Sequence, residues 1–137
     1  MTEIKSDLVL INKSAEDIFN FLSNFNNFGK LMPEQVINWK SSSDSCSFTI
    51  KGMADIALKT SEKISYSKIV WSTDGKAPFD FTLRSVLIEK TEKQTEAQII
   101  LDADLSPMLK IMAMRPLGNF VTLLVNKLKE VIESPVR

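Results

Sequence analysis

A chain of 137 residues with 44% hydrophobic and 25% charged side chains carries enough apolar material for one substantial core, and a single domain over 1–137 is expected. Its 17 basic and 17 acidic residues cancel, so the overall charge gives no sign of nucleic acid or an anionic membrane as a partner. Histidine is absent and cysteine occurs once, at Cys46, which excludes Ser-His and Cys-His nucleophile pairs, imidazole metal sites and an internal disulfide.

The first residues, MTEIKSDLVL, place Glu3, Lys5 and Asp7 where a signal peptide needs an unbroken apolar run. No uninterrupted stretch approaches the roughly 18 apolar residues of a membrane span. A cytoplasmic protein without stable membrane insertion is expected. Residues 2–12 read as an opening strand. At Ser14 the period changes: Asp17 follows three residues on, in the manner of a capping box, and Ala15, Ile18, Phe19 and Leu22 fall at helical spacing. A second short helical piece, FNNFGKLMP, is weakened by Gly29 and stopped by Pro33. Phe19, Phe21, Phe25 and Phe28 are expected in the core.

From residue 36 the period is two. Strands are predicted over 35–41, 45–51, 55–63, 67–73, 79–90 and 95–105, joined by links short enough for an antiparallel meander. Cys46, Phe48 and Ile50 alternate with Ser45, Ser47, Thr49 and Lys51, and Phe79, Phe81 and Leu83 alternate with Asp80, Thr82 and Arg84. One face is dry and the other wet. Cys46 is therefore a small buried hydrophobe. Asp102 and Asp104 share the wet phase and read as a solvated face, not an acid pair.

Residues 108–133 predict a long helix with Leu117, Phe120, Val121, Leu124, Leu128 and Val131 as its apolar stripe. Its first part, within PMLKIMAMRPL, is apolar nearly all round, with Met108, Met112 and Met114 within seven residues. Methionine in such density marks an irregular gap or a surface that adapts to several apolar shapes. Pro116 is expected to bend the helix and turn the Met-rich part on its own axis.

The order of strand, two small helices, six-stranded meander and long closing helix resembles the START-like or SRPBCC superfamily, whose helix-grip fold occurs in polyketide cyclase/dehydrase and lipid transport-like proteins. The residues that carry the likeness are the opening strand running into SAEDIFNFLSNFNNFGKLMPEQV, and the closing helix. The resemblance implies an α+β protein: a curved antiparallel seven-stranded sheet wrapped around the C-terminal helix, with two short helices after the first strand. It also implies an apolar cavity between sheet and helix, opening near the hairpin loops and the helix start. The dry phase then supplies the lining: Phe48, Ile50, Ile56, Leu58, Phe79, Phe81, Leu83 and Leu101, with Phe120 from the helix. Trp71 is counted with them, although Ile69 and Val70 make both faces of its strand apolar. Met108, Met112 and Met114 would gate the mouth, fill a gap there, or form a docking patch.

On this reading the chain binds or carries a small hydrophobic molecule, lipid-like or polyketide-like, with no cofactor, metal or catalytic residue. An enzyme of the cyclase or dehydratase sort is the alternative, for which the dry phase offers Ser85, Thr60 and Tyr66 as polar groups. The third reading is an interaction module that docks a protein partner or a second copy through the Met-rich helix start.

Overall fold

Residues 2–12 do not remain in one strand. In the structure, a computed structural model that describes residues 2–34, 36–52, 54–75 and 80–134, they form β1 (Thr2–Lys5) and β2 (Val9–Ile11). The break is made by Ser6. Its N–H donates to the Ile99 carbonyl at 2.9 Å, while its hydroxyl oxygen accepts from the Ile99 N–H at 3.0 Å. A side-chain oxygen thus takes an acceptor position that backbone would otherwise fill, and the chain steps outward before pairing again. Both pieces pair with the same strand, β8 (Gln94–Ala103). The sheet consequently has eight strands where seven are expected from sequence.

The remaining strands are β3 (Val36–Ser41), β4 (Ser45–Ile50), β5 (Ala54–Ile64), β6 (Lys68–Thr73) and β7 (Phe81–Thr91). They follow one another as antiparallel neighbours, and β8 closes the meander against β1 and β2. The curved sheet holds a long helix, α3 (Pro107–Glu133), which packs against β8, β1 and β2. Two short helices, α1 (Ala15–Leu22) and α2 (Phe25–Phe28), precede β3, with a 3-10 turn over Gly29–Leu31. The Ser14 hydroxyl caps α1 by accepting from the Asp17 N–H at 3.0 Å. Ile18, Phe19, Leu22, Phe25, Phe28 and Leu31 are all buried; Phe21 is half-buried against the core.

Strict alternation fails in β3. Asn38 has φ +56°, and the register with β4 shifts between Ile37 and Lys40. This bulge brings Trp39 to the concave side, where its indole stacks between Phe28 (centroids 6.3 Å apart) and Phe48 (5.5 Å). Gly29 is explained by the same ring. Its backbone is right-handed helical, but a Cβ there would lie 2.6 Å from the Trp39 indole nitrogen. The close approach is what requires glycine.

α3 starts one residue before the predicted position, capped by Ser106, whose hydroxyl accepts from the Leu109 N–H at 3.3 Å. The helix continues through Pro116. Its buried stripe, Ala113, Leu117, Val121, Leu124, Val125, Leu128 and Ile132, runs past the proline at helical spacing, so the Met-rich part is not re-aimed on a separate axis. The stripe is rotated from the expected one: Phe120 and Val131 are half-buried at its margin, and Val125 and Ile132 take the centre. At the far end the Glu133 carboxylate accepts from the Asn12 N–H and from Lys129 Nζ, which also donates to the Leu10 carbonyl. The Lys129 bond foremost, then the Asn12 amide, hold Glu133 below the usual carboxylate range. That stabilisation is present above the unfolded pKa and is lost as pH falls through the lowered native value.

Cys46 is buried on β4, and burial pushes its thiol up to about 12 against an opposing backbone hydrogen bond at Leu58. Ellman's reagent should therefore fail to react with the native protein at pH 8 and should titrate one thiol in 6 M guanidinium. Below the unfolded thiol's pKa, about 9, this burial carries no penalty. Stability should then fall as pH rises from there towards about 12, because the unfolded chain loses a proton that the native one keeps.

Candidate ligand site

The end of the sheet where β4 turns into β5 faces the first half of α3. Gly52, at φ +76°, makes the turn. Between the turn and the helix lies a cleft of about 430 Å³ lined by Ile50, Lys51, Gly52, Arg115, Pro116, Leu117, Asn119 and Phe120. Its walls are mainly apolar: Ile50 from the sheet faces Pro116, Leu117 and Phe120 from the helix, with Lys51, Arg115 and Asn119 as polar members. A volume of this size suits a small organic molecule.

The register orders the inward side chains of the sheet. Phe48 pairs with Ile56, and Cys46 with Leu58. Phe81 stands opposite Ala103, and deeper along the same strands Trp71, Leu83 and Leu101 form a row. Ser85 comes next, opposite Ile69 and Ile99. Phe48, Ile56, Leu58, Trp71, Phe81, Leu83 and Leu101 are all buried in one cluster, joined by Leu117 and Val121 of α3. Trp71 faces this interior and is fully buried, edge-on to Phe28 at 4.9 Å.

Of the residues read from sequence, Ile50 and Phe120 meet in the cleft wall, while Phe48, Ile56, Leu58, Trp71, Phe81, Leu83 and Leu101 are packed in the core and do not line it. Phe79 lies outside the described residues. Met108 and Met112 are 72% and 68% exposed, and Met114 is 36% exposed. They neither fill a gap nor reach the cleft lining. Pro116 and Leu117 belong to the wall and are missing from the sequence-derived lining; the helical spacing of Leu117 and Phe120 was the available signal.

Among the described residues, two buried hydroxyls stand out in the apolar interior. Ser85 Oγ and Thr60 Oγ1 are buried without a hydrogen-bond partner. Ser85 lies in the phase of Phe81, Leu83 and Leu87 on β7, and Thr60 stands opposite Trp71. A buried hydroxyl without a partner costs about 1–3 kcal/mol, so these two positions are poised to accept one. Tyr66, by contrast, is exposed at the β5–β6 turn. The Asp102 carboxylate belongs to the other face of the sheet, where it accepts from Arg84 Nε at 2.9 Å, while Arg84 Nη2 donates to Glu3 at 2.7 Å. The Asp102 bond is the largest cause holding the Arg84 guanidinium above its ordinary pKa. Asp104 is exposed.

No family model and no curated protein sequence matches the chain. Solved structures do. A START superfamily protein from Mycobacterium smegmatis superposes with a TM-score of 0.77 at 15% identity, covering 96% of this chain and 97% of that one. XoxI from Bacillus cereus gives 0.76 at 11% identity, with 96% of each chain covered. Norcoclaurine synthase from Thalictrum flavum, solved with dopamine and hydroxybenzaldehyde, gives 0.71 at 10% identity, with 96% and 86% covered. At these identities the likeness is one of fold.

Proposed function

We propose that this chain, which has the START-like helix-grip fold, is a single-domain carrier of a small hydrophobic molecule that enters between the β4–β5 turn and α3. The observation that supports it is the apolar cleft walled by Ile50, Pro116, Leu117 and Phe120, where the β4–β5 turn faces the first half of α3. Apolar burial provides the affinity, and the ligand's polar end is satisfied by the unpartnered hydroxyls of Ser85 and Thr60. A lipid-like or polyketide-like amphiphile combines these properties. Phe48, Ile56, Leu58, Trp71, Phe81, Leu83 and Leu101 are the inner lining, displaced in part when the ligand is seated. We read the chain as cytoplasmic and as a binder in preference to a catalyst, since Ser85 and Thr60 are weak acids and bases alone.

The test is displacement of a fluorescent naphthalene sulfonate probe from the purified protein by fatty acids of graded length. Ile50→Asp and Phe120→Asp place charge in the cleft wall at half-buried positions. Each should weaken probe binding at least tenfold while moving the thermal midpoint by only a few degrees. Ser85→Ala should weaken binding of a fatty acid but not of the corresponding hydrocarbon. Unaltered probe affinity in both Asp variants would refute the site.

A further inference from the structure

The apolar cleft between the β4–β5 turn and α3 has a rim of one electrical sign. Its polar side chains are Lys51 from the turn and Arg115 and Asn119 from the helix, and no carboxylate of the described residues lines it. Arg115 and Asn119, at i and i+4, share a face of α3, across the cleft from Lys51. All three are exposed. Neither Lys51 nor Arg115 belongs to an ion pair of the described residues.

The chain does not supply the counter-charge itself. From Leu105 to Lys129 it has no Asp or Glu, so α3 offers Arg115 no acidic neighbour in that span. On the sheet side, the Asp55 carboxylate accepts from the Thr49 hydroxyl at 2.7 Å, and Glu34, in the turn before β3, is exposed and makes no ion pair with either cation. Asp80 and Asp104 stand at the ends of β7 and β8, with β6 between those strands and β5. None of the four lines the cleft. An apolar ligand end lying against Ile50, Pro116 and Phe120 would strip water from the Lys51, Arg115 and Asn119 donors without replacing its hydrogen bonds, a cost that is larger for charged groups than for neutral ones. An oxyanion at that end replaces them. The guanidinium offers a planar fork to carboxylate or phosphate oxygens and the ammonium a point charge from the other wall, in hydrogen bonds about twice as strong as neutral ones.

We infer that the ligand of this cleft ends in an oxyanion, a carboxylate or a phosphate, which stays at the mouth between Lys51 and Arg115 while the opposite polar end goes to the interior hydroxyls. This narrows the carrier reading, on which it rests, to a chain that is polar at both ends and apolar between them.

Ligands that share one alcohol end and differ only at the other test it, each displacing the uncharged dye N-phenyl-1-naphthylamine from the full chain at pH 7: 1-dodecanol, 12-hydroxydodecanoate, the monophosphate of 1,12-dodecanediol, and 12-amino-1-dodecanol. Dodecanol reports the cleft alone. At 50 mM salt the better of the two oxyanions should bind at least tenfold more tightly than dodecanol and the amine no more tightly than dodecanol, and 0.5 M salt should remove most of the anion's advantage. Whichever of carboxylate and phosphate gains more names the group. Lys51→Met with Arg115→Met keeps the apolar stems and removes both charges; in this variant, shown to be folded by circular dichroism, the ratio of oxyanion to dodecanol affinity should fall to about one. Lys51→Glu with Arg115→Glu should invert the order and favour the amine. Equal binding of dodecanol and both oxyanions by the wild type would overturn the inference and leave carriage intact. A preference for the oxyanion that survives in the Met variant would overturn it as well. Displacement by none of the four would refute the carrier reading, and the inference with it.

Discussion

Trp71→Ala is expected to lower the unfolding free energy by about 3–5 kcal/mol. The side chain is fully buried, and its ring meets Phe28 at 4.9 Å and Phe25 at 6.2 Å. It joins the β6 row to α2, so truncation removes transfer free energy and also unpacks two aromatic contacts, each worth about 0.5–1.5 kcal/mol beyond area. A domain of this size is stable by roughly 5–15 kcal/mol, so the variant should sit near the edge of folding at 37 °C. Urea titration followed by far-UV circular dichroism measures the change. A loss below about 1.5 kcal/mol would mean that the indole is not packed as described.

Phe81→Ala should cost a similar amount, about 3–5 kcal/mol, because Phe81 is only 6% exposed and faces the core. Phe81 is also one of the proposed inner lining residues, which gives the number a second use. A side chain that borders a pre-existing void leaves little new cavity when truncated and costs less. A value below about 2 kcal/mol, from the same titration, would place Phe81 on the wall of an open chamber. A value in the expected range keeps the interior closed until a ligand displaces it.

Element order and most of the core were legible because period-two alternation in β4, β7 and β8 and helical spacing in α1 each follow from one buried face. Ser6 and Asn38 show where that legibility ends. At Ser6 a hydroxyl replaces a ladder acceptor and splits the opening strand, and at Asn38 a positive φ lets Trp39 turn inward against the alternation. Neither event changes composition or period enough to be seen in a window of residues. Pro116 misled in the opposite sense, since a proline at the outer, exposed side of α3 leaves the inner stripe from Ala113 to Leu117 intact. For the methionines the sequence left a gate, a gap-filler and a docking patch as alternatives. Their outward direction depended on which side of α3 the sheet covers, a tertiary fact absent from local pattern. Phe120 and Ile50 were found as apolar residues of the right phase, while their meeting in one cleft follows from the β4–β5 turn lying over the helix.

The carriage of an apolar ligand is tested most directly by two-dimensional ¹⁵N–¹H NMR of the protein titrated with decanoic acid. Saturable shifts are expected at Ile50, Lys51, Gly52, Leu117 and Phe120, together with Ser85 and Trp71 in the interior, fitting one site per chain. Shifts confined to Met108, Ile111 and Met112, or no saturable shift at the cleft and Ser85, would contradict it.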